Sequence, residues 1–175
     1  MSVKSALARG LSSSLEPGLV LLNTQTFSAA TSVSVNDVFS ATYNHYVVKI
    51  NIDSTTGAAD LLFRYRVSGA DNSTSNYKSR NILIGSTGST SSYGSGTASF
   101  GYISANSGTT GSLATVQISN PFQTQRTHYT ASAIDDLYTL TVGVAFADTT
   151  SFTGFTIYPS TGNMTGSVSV YGYNR

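Results

Sequence analysis

Two histidines are the side chains best suited to proton transfer near neutral pH, and they sit in unlike surroundings. His45 stands beside Tyr43 and Tyr46 at the start of an alternating run, whereas His128 falls between Thr127 and Tyr129 inside another. Neither has nucleophile or carboxylate neighbours at a spacing that would make it a general base, and both read as partly exposed strand residues. The eight carboxylates are Glu16, Asp37, Asp53, Asp60, Asp71, Asp135, Asp136 and Asp148, mostly single and in turn-like contexts. Glycoside hydrolysis needs two carboxyls facing one another across a cleft. The adjacent pair Asp135 and Asp136 would point to opposite sides of an extended chain, so it reads as a turn before the strand from Tyr138. Asp71, Asn72 and Ser73 make too sparse an oxygen cluster for a calcium loop. Cysteine is absent, which removes thiolate nucleophiles, thiolate metal sites and disulfides together. The sequence has neither a nucleophile elbow of the Gly-x-Ser-x-Gly type nor a phosphate-cradling glycine loop. No catalytic residue, cofactor or metal is assigned, and the chain reads as a non-enzyme.

Tyrosine offers the other usable chemistry. A sugar ring stacks on an exposed aromatic face while polar groups bond its hydroxyls, and the same amphipathic ring suits a subunit interface. Tyr93 and Tyr102, near glycine-rich loops, and Tyr171 and Tyr173, on the polar side of the last alternating run, are the candidates for interface or glycan contact. The interface reading is the favoured one.

The chain that must position these groups has 175 residues, with 9 Lys and Arg against 8 Asp and Glu. Charged residues are only 10% of the whole, against roughly 25% in ordinary soluble domains. A nearly neutral surface has no field to attract nucleic acid or an anionic membrane, so neither is expected as a partner. The longest apolar run, Leu19 to Leu22, is far short of the about 20 residues that cross a bilayer as a helix. Lys4 and Arg9 are not followed by the apolar stretch of a secretory signal.

Two regimes divide the chain. In residues 1–18, Val3, Leu7, Leu11 and Leu15 recur every fourth position, the stripe of a short helix that becomes ordered by docking; Pro17 and Gly18 close it. This segment is read as an anchoring arm. In residues 19–175 the period becomes two: Tyr46, Val48, Ile50 and Ile52 share one face, as do Leu61, Phe63, Tyr65 and Val67. About ten strands are expected, over 19–27, 45–52, 61–67, 77–84, 97–103, 114–118, 126–133, 138–144, 154–158 and 167–173. The low-complexity stretches 85–96 and 106–112 read as exposed loops, and Asn36 with Asp37 as the cap of one helical turn. The expected fold is all-β, a jelly-roll-like antiparallel sandwich with a short N-terminal arm or helix.

Three stretches taken together resemble a known family: NDVFSATYNHY from Asn36 to Tyr46, SFTGFTIYPS from Ser151 to Ser160, and GNMTGSVSVYGY from Gly162 to Tyr173. They look like the β-sandwich module of structural proteins in tailed bacteriophages, found at the C-terminus of tail-fibre-like proteins or as a stand-alone virion protein. The similarity spans residues 21–173 and rests on turn and core positions. It implies Phe39 and Tyr43 plugging one end of the sandwich, Phe152, Phe155 and Ile157 continuing the core, and a turn bracketed by Gly162 and Gly166. It also implies a virion protein on the outer surface of the particle, made in the host cytoplasm. With only a short arm ahead of the module, a capsid cement (decoration) protein is expected, a homotrimer docked on the major capsid protein. The alternative is a short tail fibre or receptor-binding protein, joined to tail or baseplate proteins and recognising a host-surface glycan.

Overall fold

The computed structural model describes residues 18–105 and 109–174, and over these the chain is all-β without a helix. The arm positions Val3, Leu7, Leu11 and Leu15 lie outside the described residues. In chain order the strands are β1 (Gly18–Ala30), β2 (Val33–Val35), β3 (His45–Thr55), β4 (Leu61–Val67), β5 (Ala70–Asp71), β6 (Tyr77–Gly85) and β7 (Thr90–Ala98). They continue with β8 (Gly101–Ser104), β9 (Ser112–Ser119), β10 (His128–Ile134), β11 (Tyr138–Phe146), β12 (Gly154–Pro159) and β13 (Met164–Asn174). An eight-stranded sheet has the order β1-β13-β3-β9-β10-β11-β6-β7, and a smaller one the order β2-β12-β4-β5, with β8 paired to β4. All pairs are antiparallel. The result is the jelly-roll-like sandwich that the period-two pattern implies.

Alternation decides which residues meet between the sheets. Tyr46, Val48, Ile50 and Ile52 from β3, Val116 and Ile118 from β9, and Leu140, Val142 and Phe146 from β11 are buried on the inner face of the large sheet. Phe63 and Tyr65 from β4, with Phe155 and Ile157 from β12, answer them from the small one. Aromatic rings bridge the layers: Phe63 lies 5.1 Å from Tyr129 and Tyr65 lies 5.9 Å from Phe146, centroid to centroid. Edge-to-face and offset contacts of this kind add about 0.5–1.5 kcal/mol beyond area burial.

Three local expectations are corrected. The supposed loop 85–96 contains most of β7, whose backbone pairs with β6 along the sheet edge. The supposed strand 97–103 is broken at Ser99 and Phe100, ending β7 in one sheet and starting β8 in the other. No helical turn forms at Asn36: Asp37 adopts a φ of 54°, and the Phe39 N–H donates to the Thr153 carbonyl at 3.1 Å. Phe39 is nevertheless in the core and Tyr43 beside it, each packing against Tyr46 at 4.8 and 6.0 Å. Gly162 does take the left-handed conformation, with φ 71°, before β13. Gly166 lies within β13 instead, where a Cβ would meet the Asn51 carbonyl at 2.1 Å.

Candidate functional site

The two histidines, far apart in the sequence, are brought into one row. Register sets His45 and His128 on either side of Ser119, in a row across β3, β9 and β10 on the outer face of the large sheet. His45 Nδ1 is 3.2 Å from Ser119 Oγ. That is serine–histidine spacing, but among the described residues neither histidine has a carboxylate partner to orient it, and the row lies on the sheet's outer face. Across the next strand the row continues through Ala145 to Lys78. No group of three or more His, Cys, Asp or Glu side chains among the described residues is placed to hold a metal ion.

Asp135 does what its turn reading implies: its Oδ1 accepts from the backbone N–H groups of Leu137 and Tyr138, at 2.8 and 2.6 Å. Asp71 is drawn into a different role. It pairs with Arg66, whose guanidinium also donates to Ser34 Oγ, Thr156 Oγ1 and Asn36 Oδ1 at 2.9, 2.8 and 2.8 Å. Thr156 Oγ1 in turn donates to Asp71 at 2.6 Å. This network ties β2, β4, β5 and β12 together on the outside of the small sheet and is structural.

The structure brings Tyr93 and Tyr102 together and keeps Tyr171 and Tyr173 away from them. Tyr93 comes from edge strand β7 and Tyr102 from β8, and their rings meet edge to face at 5.6 Å. Phe100 packs on Tyr102 at 5.5 Å. Burial, with the charge of Asp60 and the Tyr102 ring nearby, pushes the Tyr93 hydroxyl up to about 12. Burial likewise raises the carboxyl of Asp60 above its ordinary range. Tyr158 shares a row with Leu62 and Tyr102 on the small sheet, and the Arg64 guanidinium lies 4.9 Å over its ring. Rings, a carboxylate and a guanidinium thus gather where β7 and β8 meet the small sheet. Sequence reading found its two tyrosines but missed Phe100, Tyr158, Arg64 and Asp60, which only the meeting of β4, β7, β8 and β12 assembles. Tyr171 and Tyr173 sit on β13, six strand steps or about 29 Å from β7. Their cross-strand neighbours are Leu21 and Leu19.

Apolar side chains stand on the outer face of the large sheet at two opposite corners. One corner is the Leu19, Leu21, Tyr171 and Tyr173 group, at the end where residue 18 enters β1. At the other, Leu113 pairs with Ile134, Ile134 with Thr139 and Thr139 with Ile84, so that a row with three exposed aliphatics and one threonine crosses β9, β10, β11 and β6. Leu113 is 52% and Ile134 54% exposed. Between the corners the face is hydroxyl-rich, carrying Thr115, Gln117, Thr130, Ser132 and Thr141.

No protein-family model matches this chain, and no curated protein does.

Proposed function

We propose that this protein is a non-catalytic structural component of a tailed-bacteriophage virion, a capsid cement protein. The observation that carries the reading is the pair of apolar corners on one sheet face. A cement must grip two neighbours at once, and a stiff eight-stranded sheet holds two sticky surfaces at a fixed separation. Each of these leucines and isoleucines is about half exposed, so covering it fully against a neighbour contributes about 1 kcal/mol, and a few such side chains per corner suffice when many copies act together. Contacts made by aliphatics, tyrosines and hydroxyls on a near-neutral chain are weakly sensitive to salt. The first corner lies where the described chain begins, at Gly18, and the sequence ahead of it carries Val3, Leu7, Leu11 and Leu15, the candidate anchor to the major capsid protein. Docking at threefold lattice positions gives a homotrimer.

The test is attachment to purified particles. Wild-type chain is expected at hundreds of copies per particle, which distinguishes a cement from a fibre. Leu113→Asp with Ile134→Asp should abolish attachment while circular dichroism and Tm stay those of the folded domain. Deleting residues 1–17 should do the same. Full attachment of both variants overturns the proposal.

A second reading, a short tail fibre or receptor-binding protein, is favoured by the Tyr93–Tyr102 pair with Arg64 and Asp60 close by. It predicts a few dozen copies or fewer, and sugar binding that is lost in Tyr102→Ala.

A further inference from the structure

Gly143 sits in the middle of β11, where glycine weakens a strand by roughly 0.5–1 kcal/mol relative to alanine. The usual structural reasons for one are missing. Its φ is not in the left-handed region, and the register on both sides runs through without a bulge. A Cβ built there meets nothing within 4 Å. The remaining reason for a mid-strand glycine is close approach by something from outside. Its partners Thr130 and Arg80 both point outward, so the missing side chain leaves a trough on the outer face of the large sheet.

Two connected depressions of about 400 and 430 Å³ make up that trough. Its floor is Thr141, Gly143 and Ala145, about 13 Å along β11. One end has Thr141, Ser92 and the exposed Ile82 between them, the other Lys78 and His128, and Arg80 lines both parts. No carboxylate lines either part. The Arg66–Asp71 bridge is the one ion pair among the described residues, so these three basic groups have no acidic partner. Arg80 is also held in place: its Nη1 donates to the carbonyls of Ser79 and Ser95 at 2.6 and 3.3 Å, leaving Nε and Nη2 without a partner. Lys78 and Arg80, two residues apart on one face of β6, repel one another, and an anion seated between them relieves that cost.

We propose that this trough binds an acidic oligosaccharide, with its carboxylate or sulfate over Gly143 and Ala145 among Lys78, Arg80 and His128. The sugar hydroxyls then face Thr130, Thr141 and Ser92. This rests on the second reading above only in taking a host-surface glycan as the ligand; it seats that glycan on the outer face of the large sheet rather than at the Tyr93–Tyr102 pair, and assigns it a ligand class. At one end Thr130, Thr141 and Ser92 offer hydroxyls and Ile82 an apolar surface for the face of a sugar ring, and the cationic end fits the charge.

Calorimetry of the full chain with oligogalacturonate, a heparin-derived oligosaccharide and neutral maltohexaose tests it. The charged sugars are expected to bind and maltohexaose not, with affinity falling as ionic strength rises. Oligogalacturonate against heparin distinguishes carboxylate from sulfate recognition. Lys78→Ala with Arg80→Ala should weaken binding by about tenfold or more. Gly143→Val fills open space, so it should match or exceed the wild-type Tm and also lose binding. Undiminished binding in Gly143→Val overturns the trough, and loss in Tyr102→Ala instead would leave the glycan reading standing at the other site. Equal binding of a poly-glutamate peptide overturns the assignment to sugar, and no binding by any of the sugars overturns the glycan reading as well.

Discussion

The hydroxyl of Tyr77, on the large sheet, reaches across the sandwich to the backbone of Tyr65 on the small one. The Tyr65 N–H donates to Tyr77 Oη at 2.9 Å, and that hydroxyl donates onward to the Asn72 carbonyl at 2.9 Å. The two rings stack at 6.1 Å. Tyr65 is fully buried too, yet its own hydroxyl has no hydrogen-bond partner. The same chemical deletion should therefore act oppositely at the two sites. Tyr77→Phe leaves a buried N–H and a carbonyl unsatisfied, at a cost of about 1–3 kcal/mol, whereas Tyr65→Phe removes an unpaired polar group and should be neutral or stabilising. Urea unfolding of the two variants checks the sign.

A second bolt between the layers is Tyr129, whose hydroxyl donates to the Tyr102 carbonyl at 2.7 Å. Gly101 lies against that hydroxyl so closely that a Cβ would come within 2.1 Å of it. Gly101→Ala must displace a buried tyrosine and is expected to destabilise by about 1–3 kcal/mol. Gly143→Ala, with open space beside it, should not destabilise at all. Thermal unfolding of the pair separates steric need from exposed glycine.

Alkaline pH should unfold this protein cooperatively. Burial raises the hydroxyls of Tyr65 and Tyr129 well above the ordinary tyrosine range, and that of Tyr77 as well. Because the native state holds these protons more tightly than the unfolded chain, stability is intact below about pH 10 and falls as pH rises above it. The tyrosinate absorbance of the buried groups should thus appear together with loss of near-ultraviolet dichroism. Titration of all tyrosines in a still-folded protein would contradict the burial.

Asp60 follows the same sign at acidic pH. Its carboxyl is raised by burial, so the ionised form costs stability above the folded-state value and the cost fades as pH falls toward the unfolded-state range. Asp60→Asn should raise the urea midpoint at pH 7, and the gain should shrink as the pH is lowered through the carboxylate range.

How far the sequence is legible can be seen in single elements. Strand β3 announces itself, because Tyr46, Val48, Ile50 and Ile52 recur at every second position with Lys49 and Asn51 between the last three, and one face of it is the core. Strand β7 does not: at the sheet edge it is held by backbone pairing to β6, and its Ser, Thr and Gly side chains lack the apolar period that would mark it. The turn expected after Asn36 fails for a related reason. A local cap competes there with the hydrogen bond from Phe39 to Thr153, a residue far along the chain, and the distant partner wins. Of the tyrosines, Tyr93 and Tyr102 could be picked out one by one, but their contact depends on two strands from different sheets ending side by side.

By itself the sequence determined that this is an all-β chain with an apolar interior and sparse charge. Those follow from residue type and from a period of two, both local properties. The tertiary structure alone decided that His45, Ser119 and His128 share a row, that two apolar corners mark one sheet face, and that three basic groups surround Gly143. Register is the reason. Antiparallel pairing places residues many tens of positions apart about 5 Å from one another, and a shift of one residue would turn every outward group inward.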